Sequence, residues 1–288
     1  MSSVCKRAAL FALAAMLAVA TAGKSQPPAP QSTGFRAPAR DSRELWVCAD
    51  PNNLPFSNER EQGFENKIAA LIARDLGKTL RYFWEPQRRG FVRTTLNAGN
   101  CDVIIGVPAA YAMVETTSPY YRSTYVFVSR RDRHLRLRSF DDPRLRKLLI
   151  AIQLTGEDYE NPPAAQALAT RQLANNVRGF PVYGDYSHPA PQRAVVEAVA
   201  KGTVDTAVVW GPVGGYFALR SSVPLDVTPL DPAATPATLQ FAFDISMGVR
   251  RGDRQAVAAL DRVLERRRAE TRAILSRYGV PMLPAAAP

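Results

Sequence analysis

The residues best suited to chemistry are polar side chains that directly follow an apolar run. Asp50, Asn52 and Asn53 come after the run Leu45–Ala49. Carboxylate and amide groups in such a turn can hydrogen-bond a ligand, but they can equally cap the turn and the helix that follows it. The sequence leaves both interpretations open.

Further candidates occur after the other apolar runs. Aromatic side chains there can stack on a ligand or fill the floor of a cleft, and an arginine can clamp an anion or stay solvated. Glycine and threonine can offer backbone and hydroxyl groups. The predicted cleft-binding residues are Asp50, Asn52, Asn53, Phe56, Gln87, Arg88, Pro108, Tyr111, Tyr120, Thr155, Gly156 and Trp210.

Signatures of common enzymes do not occur. The chain has no G-x-S-x-G and no P-loop, and Gly211–Gly215 does not fit the dinucleotide fingerprint. The two histidines, His134 and His188, lack the spacing of metal ligands. Glu115 and Asp205 would suit an acid and a base, but nothing in the sequence links them. We therefore predict no enzyme activity, no metal site and no cofactor.

Apolar runs typical of strands alternate with segments of helical periodicity, which predicts an α/β fold with mostly parallel sheets. Polar residues after the strands would then meet at the carboxyl edges of the sheets, where such folds bind ligands. Gly211–Gly215 is expected to be one of these loops. The predicted strands are Leu45–Ala49, Leu80–Trp84, Asp102–Val107, Tyr121–Ser129, Leu148–Leu154, Val177–Val182, Val204–Trp210 and Phe241–Val249.

Helices are predicted from apolar residues at three- and four-residue spacing. The first begins near Phe64 and ends before Gly77, a residue suited to the position after a helix. Another begins after Asp253, a good N-cap. The remaining predicted helices are Phe91–Ala98, Ala164–Ala174, Pro191–Ala200 and a last one that ends at Gly279.

The amino-terminal segment has the features of an export signal. Lys6 and Arg7 precede the apolar run Ala8–Ala20, and Ala20-Thr21-Ala22 is a small-x-small cleavage site. The run is shorter than the roughly 20 residues of a bilayer span, although a retained anchor is the alternative. We predict a signal peptide over residues 1–22, a periplasmic protein without a membrane span after cleavage, a disordered Pro-rich lead-in over 23–43 and a tail over 281–288.

The formal net charge is +11. No basic run is interleaved with aromatic residues, so nucleic-acid binding is not predicted. The positive charge fits two interpretations. It could steer the protein toward an acidic protein partner, or it could simply belong to a solvated basic surface.

Cys48 and Cys101 lie in predicted neighbouring strands, in a compartment that permits disulfides. If those strands start level, the two residues are offset by ~10 Å at ~3.3 Å per residue. That offset exceeds the ~7 Å limit for a bridge. The sequence does not determine the register of the two strands, so it neither predicts nor excludes a disulfide between these cysteines.

Four phrases resemble family 3 of the periplasmic solute-binding proteins: the strand, Pro-Phe turn and Gly-Phe helix of Leu45–Gly77, then Cys101-Asp-Val-Ile-Ile-Gly, Ser118-Pro-Tyr-Tyr and Gly202-Thr-Val-Asp-Thr-Ala-Val-Val. The resemblance implies the α/β, two-lobed type II periplasmic binding protein fold. The first lobe would comprise residues 44–128 and 229–280, and the second residues 129–228. Hinge crossings are expected near Ser129 and Thr228.

The family's amino-acid receptors hold the ligand carboxylate with an arginine shortly after the third strand. Val107–Ser118 contains no Arg or Lys, and Met113 falls near the expected position. The position of the family's ammonium-binding aspartate is occupied by Trp210. Because unpaired charges in a cleft are costly, ordinary amino-acid binding is not expected.

A narrower resemblance covers Leu45–Val128. The phrases V-C-A-D-P-N-N-L-P-F-S-N, G-F-E-N-K-I-A, P-Q-R-R-G-F-V-R-T-T-L-N-A-G-N-C-D-V-I-I-G-V-P and T-T-S-P-Y-Y-R-S-T-Y-V-F-V are similar to the MoxJ/XoxJ type. These are periplasmic accessory proteins of PQQ-dependent, lanthanide- or calcium-containing methanol dehydrogenases. The resemblance implies that the cleft engages a segment of that protein partner and assists its maturation or activation. The alternative is a transporter receptor for a small non-amino-acid solute.

Overall fold

The computed structural model of the chain describes residues 41–154, 162–181, 186–231 and 238–284. The predicted signal peptide, nearly all of the predicted lead-in, and Thr155 and Gly156 lie outside these ranges. So does the second half of the predicted tail, residues 285–288. The statements that follow concern the described residues.

The longer strands form where β-branched, other apolar and aromatic residues run together. The strands are β1 (Glu44–Ala49), β2 (Asn52–Asn53), β3 (Ser57–Asn58), β4 (Thr79–Trp84), β5 (Val103–Pro108), β6 (Glu115–Thr116), β7 (Tyr121–Arg130), β8 (Ile150–Leu154), β9 (Val177–Pro181), β10 (Thr206–Trp210), β11 (Leu225–Pro229) and β12 (Ala242–Val249).

Of the described α-helices, five connect strands and two follow the last strand. Within the described ranges, no helix has the length and apolarity to cross a bilayer. Short 3-10 turns occur at Arg131–Arg133, Pro143–Lys147 and Ala174–Asn176. The α-helices are α1 (Phe64–Asp75), α2 (Phe91–Thr94), α3 (Pro163–Ala169), α4 (Arg193–Ala200), α5 (Gly211–Leu219), α6 (Arg254–Arg266) and α7 (Arg268–Arg277).

One continuous strand joins two halves of the sheet, whose order is β4-β1-β5-β12-β7-β10-β8-β9. Residues Tyr121–Thr124 of β7 pair antiparallel with β12. From Tyr125 onward β7 pairs with β10 and from Val126 with β11, also antiparallel. The outer strands β4-β1-β5 and β10-β8-β9 are parallel. The predicted α/β class is confirmed, and the lobe limits after Val128 and Thr228 stay a prediction.

Apolar side chains cover both faces of each half. The helices α1, α6 and α7 pack one face of the first half, and α2 with the two cysteines lies on the other. The helices α4 and α5 pack one face of the second half, and α3 lies on its opposite face. The carboxyl edges of the parallel strands stay open for a site.

Local sequence accounts for α1. Phe64, Ile68 and Ile72 are each at most 1% exposed, as the helical spacing predicts. Gly63 precedes the helix because a Cβ there would lie 1.9 Å from the carbonyl oxygen of Phe56. Gly77 follows it with φ +65°, a conformation that glycine adopts without strain.

The segment Gly211–Gly215, predicted to be a loop, instead begins the buried helix α5. Glycines normally weaken helices, but here they permit close packing. A Cβ on Gly211 would lie 2.4 Å from the carbonyl oxygen of Thr124, and one on Gly215 would lie 1.8 Å from that of Gly279. Tertiary contact therefore overrides the turn preference of the sequence.

The two cysteines are joined by a disulfide with a Cα–Cα distance of 5.4 Å. In the ladder, Val47 of β1 lies opposite Val103 of β5, so Cys48 is in register with Ile104, three residues beyond Cys101. The ~10 Å offset would apply if residue 101 continued the strand. It does not apply because β5 begins only at Val103, and Cys101 lies in the segment before it, close to Cys48.

Replacing Gly215 by alanine tests the packing of α5. We expect Gly215→Ala to lower the free energy of unfolding by at least about 3 kcal/mol, the upper part of the range for overpacked cores, because the new methyl group meets backbone. Gly202→Ala is the control: its site has φ +73° and nothing within 4 Å, so only the left-handed cost of about 1–2 kcal/mol applies. Urea unfolding of both variants measures the difference, and equal losses would contradict this account.

Candidate functional site

The turn after β1 is organised by Asp50, which is 3% exposed. One carboxylate oxygen accepts the backbone N–H of Asn52 at 2.8 Å. The other accepts the N–H of Gln87 at 2.6 Å and the hydroxyl of Tyr186 at 2.7 Å. Both oxygens are bound by protein donors, so of the two interpretations the geometry favours the turn-capping one for Asp50.

Asn52 spans the gap between the two halves of the sheet. Its Nδ2 donates to the carbonyl of His188 at 2.8 Å, and its Oδ1 accepts the N–H of Ala190 at 2.9 Å. These acceptor and donor groups precede α4 in the second half. The side chain therefore holds the β1 turn against that half.

Four amide side chains, which we call the amide network, continue this link. Asn53 donates to Oε1 of Gln87 at 3.0 Å and accepts from Gln192. Gln192 accepts from Gln153 at 2.8 Å, and Gln153 accepts the backbone N–H of Trp210 at 3.2 Å. Because buried amides require partners, the network stabilises the approach of the two halves. Sequence reasoning missed Gln153 and Gln192, since nothing local distinguishes them.

A cavity of about 260 Å³ lies beside the amide network, at the carboxyl ends of β1, β5 and β10. We call it the cleft cavity. Its wall is mostly aromatic: the ring of Trp210 contacts those of Tyr125 and Phe243, with centroids 5.7 Å away in both cases. The lining residues are Asn53, Phe56, Glu65, Gln87, Gly106, Val107, Pro108, Tyr121, Tyr125, Trp210, Phe243 and Ile245.

Five of the predicted residues line this cavity, namely Asn53, Phe56, Gln87, Pro108 and Trp210. Their role in binding stays a prediction.

Other predicted residues lie elsewhere. The Tyr120 hydroxyl donates to the carbonyl of Ile105 at 3.0 Å, and this residue lines a separate surface groove beside α6 and α7. The guanidinium of Arg88 lies 5.6 Å from the ring centre of Tyr186. The half-buried Tyr111 places its hydroxyl 3.3 Å from the sulfur of Met113.

Glu65, which the sequence analysis did not single out, is the acidic residue among the described residues that line the cavity. It is the second residue of α1, and its Oε1 lies 2.1 Å from the position that a Cβ on Gly106 would occupy. Burial raises the pKa of its carboxyl to about 8. The contact depends on α1 lying over β5, which no local signal reveals.

In the part of the chain that the structure describes, no three His, Cys, Asp or Glu side chains come together as possible metal ligands.

Glu65 gives stability a specific pH dependence. Its pKa rises from an ordinary 4.5 to about 8 in the folded protein, so between these values the folded state keeps a proton that the unfolded state has released. This group therefore makes stability fall as pH rises through that window. We expect Glu65→Gln to remove that fall, so that its stability advantage over the wild type grows from about pH 5 to about pH 8.

The measurement is urea unfolding of wild type and variant across this pH range. Glu61→Gln is the matched control, since Glu61 is an exposed glutamate in the turn before the same helix. It should leave the pH dependence unchanged. Parallel stability curves for wild type and Glu65→Gln would contradict a proton held at this site.

Comparison with known proteins links this geometry to a family. The model of the bacterial extracellular solute-binding proteins, family 3, matches residues 45–280. The chain is 34% identical to Protein MoxJ of Methylorubrum extorquens over 291 residues, which cover 98% of this chain and 95% of that protein. It is 30% identical to Protein MoxJ of Paracoccus denitrificans over 258 residues, covering 85% and 91% of the two chains.

Comparison with solved structures gives similar relatives. The crystal structure of MxaJ from Methlophaga aminisulfidivorans MPT superposes with a TM-score of 0.72 at 26% identity and covers 83% of this chain and 100% of that one. The periplasmic binding protein XoxJ from Methylobacterium extorquens AM1 gives a TM-score of 0.69 at 36% identity, covering 83% and 99%. Both similarities span nearly the whole of those proteins.

Proposed function

We propose that this chain, which belongs to family 3 of the bacterial extracellular solute-binding proteins, acts in the periplasm as an accessory protein of a PQQ-dependent methanol dehydrogenase. Its similarity to MoxJ over 98% of the chain supports this role. The observation that carries the proposal is the replacement of the family's charged ligand anchors. By the resemblance, Met113 falls near the position of the family's arginine, and Trp210 takes the position of its aspartate.

The apolar surface at the carboxyl edges supports binding of a protein segment. Met113, 38% exposed, lies in the loop after β5, and Tyr186, 36% exposed, lies across the gap near the β1 turn. The other large exposed apolar side chains within the described ranges are Leu149, just before β8, and Leu219, at the end of α5. Those two lie toward the amino ends of the strands, away from the cleft.

The expected partner is the dehydrogenase, lanthanide- or calcium-containing, in a state that has not yet matured. A segment of it would lie across the cleft rim and contact Met113 and Tyr186. The amide network holds the two halves as one surface, so binding loses little conformational entropy. The formal net charge is +11 for the whole chain and +9 without Lys6 and Arg7 of the predicted signal peptide, and it favours association with an acidic partner.

Substitution of Met113 tests the docking surface. We expect Met113→Ser to weaken association with the cognate apo-dehydrogenase about tenfold, the effect of losing an apolar interface anchor. Leu219→Ser removes a more exposed aliphatic side chain away from the cleft, so it should leave association unchanged. Size-exclusion co-elution and the gain in dehydrogenase activity on mixing are the two measurements.

Three results would overturn the proposal. The first is a wild-type protein that neither co-elutes with the apo-dehydrogenase nor raises its activity. The others concern the surface: an equal loss for the two serine variants, or a loss confined to Leu219→Ser, would place the interface elsewhere.

A further inference from the structure

We propose that the cleft cavity binds a small organic ammonium ion, held by the carboxylate of Glu65 and the aromatic wall around Trp210. This inference goes beyond the accessory role and does not depend on it. It assigns a ligand class to a carboxylate that the docking surface does not use.

The first argument is the isolation of Glu65. No lysine, arginine or histidine occurs among the described residues that line the cavity. The structure records no hydrogen bond or ion pair from the Glu65 carboxylate to a described side chain. Glu65 is half-buried, and an ionised carboxylate partly withdrawn from water is destabilised unless it is paired. A cation in the cavity would supply that pair.

The second argument is how the carboxylate is placed. Gly106 leaves the space that Glu65 fills, because a Cβ there would lie 2.1 Å from Oε1. The hydroxyls of Tyr120 and Tyr121 stay neutral near it, since burial raises the pKa of each well above its ordinary value. Burial raises the pKa of the Tyr82 hydroxyl in the same way. The tyrosines on the elements packed around Glu65 therefore stay neutral and place no charge beside its carboxylate.

The third argument is the aromatic wall. Trp210, Tyr125 and Phe243 line the same cavity as Glu65, with Trp210 between the other two rings. Aromatic faces attract organic cations, and tryptophan does so most strongly. A carboxylate combined with such rings selects a positively charged group that also carries apolar carbon.

The volume of the cavity and the charges of its lining residues narrow the class of ligand further. The cavity, about 260 Å³, is at or below the lower end of the range for small-molecule sites, about 300–1,000 Å³. A ligand carboxylate would have no cationic partner among the described lining residues. The site therefore favours a compact ammonium ion without a carboxylate and disfavours amino acids.

Protonation of Glu65 would compete with the cation. We therefore expect affinity for an ion of fixed charge to rise with pH as the carboxyl ionises and to level off above that range. Because an ion of fixed charge does not titrate, any pH dependence of its affinity comes from groups of the protein.

The probe is tetramethylammonium, followed by isothermal titration calorimetry and thermal shift from about pH 6 to about pH 9. We expect saturable binding that strengthens across this range, and no binding of tert-butanol, a compact neutral analogue. Glu65→Gln should bind at least about tenfold more weakly, which corresponds to about 1.4 kcal/mol. Glu61→Gln should bind as the wild type does.

Gly106→Ala provides a second test that keeps the charge but displaces the carboxylate, and it should also weaken binding. Circular dichroism confirms that each variant folds. If the variants fail to fold, the pH dependence in the wild type decides alone. The proposal is overturned if tetramethylammonium does not bind the wild type, if its affinity is independent of pH, or if folded Glu65→Gln binds it equally well.

Discussion

The pairing of β7 with two sets of strands is the constraint on which the rest of the structure depends. Its first four residues pair with β12 and its remainder pairs with β10 and β11. The change of partner between Thr124 and Tyr125 places Tyr121 and Tyr125 on the wall of the cleft cavity. Gly211 permits α5 to begin directly against Thr124. The cavity therefore lies where the two halves of the sheet meet.

Where the two halves of the sheet meet, the polar side chains mainly hydrogen-bond to other groups of the protein. Asp50 and Asn52 bind donors and acceptors from both halves, and the amide network joins the β1 turn to Trp210. These bonds satisfy groups that burial would otherwise penalise. Glu65 differs, because it lines the cavity and its carboxylate accepts no hydrogen bond from the described side chains.

The chain thus combines a solute-binding fold with an unusual cleft. Family membership is clear from the match over residues 45–280. The resemblance predicts charged anchors near Met113 and at Trp210, and neither residue carries a charge. An apolar rim suits a protein partner, and an aromatic cavity with one carboxylate suits an ammonium ion. The two proposals concern different atoms of the same edge, so either can fail without the other.

The sequence by itself determined the elements whose signals are local. The buried face of α1, Gly77 after it and the N-cap by Asp253, which accepts the N–H of Ala256 at 2.9 Å, follow from spacing and side-chain chemistry within a few residues. Only the tertiary structure decided that Gly211–Gly215 forms a helix, that Cys48 lies near Cys101, and that Glu65 fills the space left by Gly106. Each of these depends on strand register or on packing between distant segments, where close contact overrides local preference.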